Sequence, residues 1–218
     1  MSRELQTRHF DALGSTCELL SLGSGQGALE RCEAWVRDAE ARFTRFLPDS
    51  ELAGLNAGGG RYVPVSPELF AMLEAALWAF EESEGLVNAA VLPALIAAGY
   101  DRPFRQGLTE PAFVNPLPLP SLPEVLILDQ ATRSAALAPA AALDLGGIVK
   151  GALATSLLMS SVTMGSATWA ATSGSAVPDR KATGGTSASA TARWSRSRTG
   201  RSAPAALPGG AGATPCIT

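Results

Sequence analysis

The segment Asp144-Leu-Gly-Gly-Ile-Val-Lys-Gly151 gathers the residue types best suited to chemistry at close spacing. It is expected to be a strand ending in an acid, two glycines, and then the start of a helix. Glycines let the backbone approach a ligand and take dihedrals that other residues resist. A helix beginning there presents free N–H groups toward an anion. Lys150 adds a compact charge that can meet a phosphate, and Asp144 can accept from a ring or sugar donor. The pattern is neither GxGxxG nor a P-loop with its GK[ST] ending, so taken alone it also fits a tight strand-to-helix turn. His9 is the only histidine and sits beside the N-terminus, which sets aside Ser-His-Asp and Cys-His mechanisms. Cys17, Cys32 and Cys216 are far apart and form no CxxC, so a structural zinc site is not expected and the thiols are read as reduced.

Those residues need elements to position them. Cys17-Glu-Leu-Leu-Ser-Leu22 reads as a first strand. From Gly27 to Phe43, Leu29, Cys32, Trp35, Val36, Ala39 and Phe43 are spaced for one helical face. Ser66-Pro67-Glu68 is a strong helix start, with a hydroxyl cap, a proline at the first position and an acid in the first turn. That helix should end near Glu84-Gly85, and a shorter one should run from Ala90 to Ala98. Pro116 to Pro123 holds four prolines and is expected to be a loop. Val125 to Leu128 and Ser134 to Leu137 read as paired strands joined by a turn from Asp129 to Arg133. A last helix should follow the glycines and run on through Leu157-Leu-Met159. The order predicts an α+β domain with α/β-like mixing.

Composition divides the chain. Before Thr155 there are 11 basic and 19 acidic residues, a balance of −8; from Thr155 onward there are 6 and 1, a balance of +5. The first part, residues 1–154, is read as the N-terminal part of the functional domain. Residues 155–218 are about two-thirds Ala, Gly, Ser and Thr, a composition that buries little apolar area and predicts a poorly ordered, low-complexity tail. The Arg-rich stretch Trp194 to Arg201 has one aromatic beside it and no fold around it, and the net charge of −3 argues against nucleic acid as a partner. No apolar run is long enough to span a membrane, and the charged N-terminus lacks a signal-peptide core, which points to a cytoplasmic location.

Five collinear stretches carry a family likeness. They are Phe10-Asp-Ala-Leu-Gly-Ser-Thr-Cys17, the run from Arg42 to Asn56 containing Pro48-Asp-Ser-Glu-Leu52, Gly85-Leu-Val-Asn-Ala-Ala-Val-Leu-Pro93, Gly99-Tyr-Asp-Arg-Pro-Phe104, and Leu143 to Gly151. Together, over about residues 8–154, they resemble the FAD:protein FMN transferase (ApbE) family. The resemblance implies FAD as substrate, with Mg2+ beside its pyrophosphate. A Ser or Thr hydroxyl of an acceptor protein would attack the FMN-side phosphorus and release AMP, with no covalent enzyme intermediate. It implies FAD contacts at Leu13, Ser50, Glu51, Leu52, Asn88, Ala89, Ala90, Asp144 and Lys150, and a metal contact through the backbone of Gly147. Members of this family often act outside the cytoplasmic membrane or are anchored to it.

The likeness departs at two places. Asn88, Ala89 and Ala90 stand where the family has Asp-Pro-Thr, and Thr155 stands where its Lys-Gly-x-x-x-Asp motif ends in an acid. The later Gly-Gly-Asp turn, the His-containing segment and the closing metal-ligand Asp have no counterpart, an abrupt change of the kind a reading-frame shift in a GC-rich gene produces; resequencing the gene decides that. Magnesium sites normally use one or two carboxylates, so little transferase activity is expected of this chain. Two alternatives stand beside the transferase: a non-catalytic flavin-binding or interaction module, and an α/β domain without a ligand.

Overall fold

In the computed structural model, which describes residues 5–22, 27–111 and 118–160, the chain opens as an antiparallel hairpin. Strand β1 (Leu5–Ala12) pairs with β2 (Ser15–Leu22) from Leu5↔Leu22 to Ala12↔Ser15. Only Leu13 and Gly14 connect them, with φ of 54° and 70°. Positive φ at both central positions is the two-residue turn whose twist matches that of paired strands. The sequence marked β2 but not β1, whose outward side chains at Leu5, Thr7, His9 and Asp11 are exposed and whose inward ones are buried only at Phe10 and Ala12.

Helix α1 (Ala28–Phe43) lies on this hairpin. Leu29, Cys32, Val36, Ala39 and Phe43 form its buried face, as their spacing predicts, while Trp35 packs at the edge of the core. Cys17 is a free, fully buried thiol, the reduced state expected of it. A short helix α2 (Glu51–Asn56) follows, capped by Ser50, and then strand β3 (Val63–Pro64). The long helix α3 (Pro67–Glu82) starts where expected, with Ser66 Oγ accepting from the Leu69 amide at 3.1 Å. Ala89–Val91 make a single 3-10 turn before α4 (Leu92–Ala97).

The proline-rich stretch is not wholly loop. Leu122–Val125 form a one-turn helix, α5, with Pro123 in its first turn, where a missing N–H costs nothing; residues 112–117 lie outside the described residues. Strands β4 (Leu126–Asp129) and β5 (Ser134–Leu137) pair as predicted, and β3 joins the other edge of β5, giving the order β3-β5-β4, all antiparallel. The central strand is buried at all four positions. Helix α6 (Gly146–Ser160) packs against α3 and α1. The core gathers Val36, Leu52, Leu55, Leu69, Met72, Leu73, Leu122, Leu143, Leu145 and Leu153, all under 2% exposed. Mixed helices and antiparallel strands bear out the α+β reading.

Two expectations around the glycines change. Leu143 and Asp144 do not form a strand: both backbone groups of Leu143 are taken by the Asn56 side chain, at 2.8 and 3.0 Å, and the Asp144 amide donates to Ala89 O at 2.9 Å. A side-chain amide with one donor and one acceptor thus stands in for a neighbouring strand. The helix also begins on the glycines rather than after them, because Asp144 Oδ1 accepts from Gly146 N at 2.8 Å and caps the first turn. α6 crosses the composition boundary at Thr155, whose hydroxyl donates back to Gly151 O at 2.9 Å. The rest of the tail, including the Arg-rich stretch, lies outside the described residues. Among the described residues no helix is long and apolar enough to cross a membrane.

Candidate active site

The hairpin turn, the end of α1 and the start of α6 meet around an open cleft of about 630 Å³, within the range of small-molecule and cofactor sites. Ala12 to Ser15 form one lip. Phe43 to Leu47 form the floor, Tyr100 and Pro103 to Arg105 the facing wall, and Asp144 to Gly147 with Val149 and Lys150 the end. Leu13, Asp144, Gly147 and Lys150 therefore converge from sequence positions up to 137 residues apart. Leu13 is held in its left-handed conformation by Glu40, whose Oε1 accepts from the Leu13 amide at 2.7 Å.

The other six candidates are not in the cleft lining. Ser50 is buried, accepts from Ala53 N at 3.0 Å and donates to Thr44 O at 2.5 Å. Leu52 is fully buried in the core. Asn88 accepts from Ala90 N at 2.9 Å and donates to Pro120 O at 2.8 Å. Ala89 and Ala90 are buried, and Ala89 carries the carbonyl that holds Asp144. Glu51 accepts from Arg42 Nε at 2.7 Å and from Ser66 N at 3.2 Å, while Arg42 Nη2 reaches Glu68 at 3.1 Å. These residues build the frame behind the cleft.

Burial alone would push the Glu51 carboxyl up, but the hydrogen bonds from Ser66 and Arg42 outweigh it and hold the carboxyl below the usual glutamate range. A depressed folded-state value stabilises the protein above that range and loses this contribution as pH falls through the folded value. Glu51→Gln is therefore expected to flatten the acid limb of stability. Urea unfolding midpoints measured from neutral pH down through the carboxylate range check this, and an unchanged limb would remove Glu51 from the account.

Charge in the cleft is uneven. The Arg45 side chain is 5% exposed and that of Asp144 16%; Arg45 Nε donates to Asp144 Oδ2 and its Nη2 to Tyr100 O, both at 2.6 Å. Its guanidinium carbon lies 4.1 Å from the Phe46 ring centroid and 4.5 Å from that of Tyr100. At the mouth, Arg105 Nη2 meets Asp11 Oδ2 at 3.0 Å, and Arg105 and then Thr16 hold the exposed Asp11 carboxyl below its usual range. Lys150 has no ion-pair partner among the described residues, and neither does the Gly147 amide find an acceptor among them. An unpaired ammonium beside an unspent helix N-terminal amide suits a phosphate. A Cβ on Gly147 would meet nothing within 4 Å, so this end is open. Burial pushes the Cys17 thiol up, which leaves it no thiolate role at neutral pH.

The sequence did not single out Arg45, Phe46, Tyr100 or Arg105. The available signal was an arginine between aromatics in Phe43-Thr-Arg-Phe46 and a second aromatic-arginine cluster in Tyr100 to Arg105, a composition that favours guanidinium–ring stacking. Among the described residues no group of three or more His, Cys, Asp or Glu side chains is placed to hold a cation.

No curated protein matches the chain. Among solved structures, an ApbE protein from Thermotoga maritima aligns with TM-score 0.59 at 18% identity, over 70% of this chain and 50% of that one. The flavinyl transferase ApbE of Pseudomonas stutzeri aligns at 0.56 and 16%, over 71% and 54%, and the flavin transferase ApbE of Vibrio cholerae at 0.56 and 16%, over 70% and 52%. The chain thus shares their fold and spans about half their length. A family model described as "ApbE family" matches residues 13–166, past the composition boundary at Thr155 and over most of the 218 residues, and the chain belongs to that family.

Proposed function

We propose that this cleft takes FAD, and that the protein is by descent an FAD:protein FMN transferase. The observation that carries the reading is the meeting of Leu13, Asp144, Gly147 and Lys150 at one cleft, the Lys150 ammonium having no ion-pair partner among the described residues. Lys150 and the Gly147 amide would receive the pyrophosphate, Asp144 a ring or sugar donor, and Leu13 an apolar face of the flavin. In the reaction so assigned, a Ser or Thr oxygen of an acceptor protein forms the new bond to the FMN-side phosphorus. The bond to the AMP oxygen breaks, and the hydroxyl proton is released. These residues bind and orient; none is required to form a covalent intermediate. Asp144, the carboxylate at the Gly147 end of the cleft, is engaged through both oxygens by Arg45 and Gly146 N, so no step is routed through a metal. That engagement favours a second reading, a flavin-binding module without transferase activity.

FAD titration with and without Mg2+ separates these readings. Tight binding that needs the metal supports the transferase, binding indifferent to it supports the module, and no binding removes both. Lys150→Gln is expected to raise the FAD dissociation constant about 10-fold, the worth of one charge-assisted contact to a phosphate. The same substitution should leave riboflavin, which lacks the phosphates, unaffected. Equal affinity of the variant and the parent protein for FAD would detach Lys150 from the site.

A further inference from the structure

One side chain ties together three separate segments of the cleft. Arg45 follows α1, Asp144 precedes α6, and Tyr100 opens the loop that faces them. Two guanidinium nitrogens of Arg45 engage two different acceptors, the Asp144 carboxylate and the Tyr100 carbonyl, while the Phe46 and Tyr100 rings lie close to the guanidinium. Desolvating such a pair costs about as much as pairing returns, so its main consequence is geometric. Asp144 is pinned through both oxygens: Arg45 holds Oδ2 and the Gly146 amide holds Oδ1. Rotation of the carboxylate would release the cap that starts α6 on Gly146, and with it the placement of the Gly147 amide and Lys150.

We propose that Arg45 is a positioning residue of this site. Resting on the FAD reading above, it acts through Asp144 to set the first turn of α6 against the ligand's phosphates. Lysine cannot replace it, because a single ammonium lacks the planar fork that reaches two acceptors in fixed directions.

The test is Arg45→Lys, read in two independent ways. First, backbone amide exchange is followed at Gly146 and, as an internal reference, at Leu73 in the middle of α3. Gly146 is expected to exchange at least 10-fold faster in the variant with Leu73 unchanged. Unchanged exchange at Gly146 overturns the proposal, and so does equal acceleration at both amides, which reports a general loss of stability. Second, FAD affinity is measured for Arg45→Lys, Asp144→Asn and the double variant. If Arg45 works through Asp144, each single change weakens binding about 10-fold and the double variant is no weaker than Asp144→Asn. Multiplying effects, about 100-fold in the double variant, overturn it. Faster exchange at Gly146 in a protein that binds no FAD at all would uphold the positioning role and sink the flavin reading instead.

Discussion

Asp144→Ala is expected to lower the unfolding free energy by about 3–5 kcal/mol, the cost of leaving one member of a buried ion pair without the other. Arg45 is 5% exposed and would keep only the Tyr100 carbonyl as an acceptor. The substitution also strips the acceptor from Gly146 N, a cap worth about 1 kcal/mol in its own right. Asp144→Asn keeps an oxygen for that cap and loses only the charge, so it should fall between Ala and the parent protein. Urea unfolding followed by circular dichroism checks the order. A loss of under about 0.5 kcal/mol for the alanine variant, the size of an ordinary surface change, would mean that the pair is solvated rather than buried.

Gly99→Ala is expected to cost about 3 kcal/mol. Gly99 has φ of +88°, and a Cβ there would lie 2.1 Å from the carbonyl oxygen of Thr109. Left-handed backbone costs an alanine about 1 kcal/mol. The overlap adds more, because the two strands of the loop must separate and loosen the bonds that Thr109 N and Oγ1 make to Gly99 O, at 2.9 and 3.0 Å. Each such bond is worth about 1 kcal/mol. Gly59 is the control: its φ is +60°, but a Cβ there comes no nearer than 4.0 Å to another group. Gly59→Ala should cost only the backbone part. Equal melting temperatures for the two variants would show that the close approach at Thr109 is not there. The Gly99 variant should also loosen the wall of the cleft, since Tyr100, the next residue, contributes both the carbonyl and the ring that hold Arg45.

How far a sequence can be read depends on whether the deciding interaction is local. The helix from Pro67 announced itself because cap, proline and first-turn acid act within four residues. The buried face of α1 was written in its spacing, and the β4–β5 pair in two short apolar runs around a turn. β1 was missed because half of its side chains face solvent and its partner is recognised only once the Leu13-Gly14 turn is closed. The strand expected before Asp144 was replaced by the Asn56 side chain, an interaction across 87 residues that no local pattern encodes. At the site, Asp144 and Lys150 drew notice as charges beside glycines, and Leu13 and Gly147 came through the family likeness; all four reach the cleft. Ser50, Glu51, Leu52, Asn88, Ala89 and Ala90 came through the likeness too, yet the polar groups of Ser50, Glu51 and Asn88 are engaged in caps and an ion pair, and Leu52, Ala89 and Ala90 are buried. Arg45 escaped because an arginine next to a helix end is ordinary until its partner arrives from the far side of the fold.

That distance has a consequence for how the protein is made. Arg45 and Asp144 are separated by 99 residues. At about 5–20 residues per second, a ribosome takes roughly 5–20 seconds to travel from one codon to the other. Throughout that interval the hairpin, α1 and α3 can already be packing, while the guanidinium destined for burial has no carboxylate to meet. The nascent N-terminal part must therefore keep Arg45 in water, and its cleft side open, until residue 144 emerges.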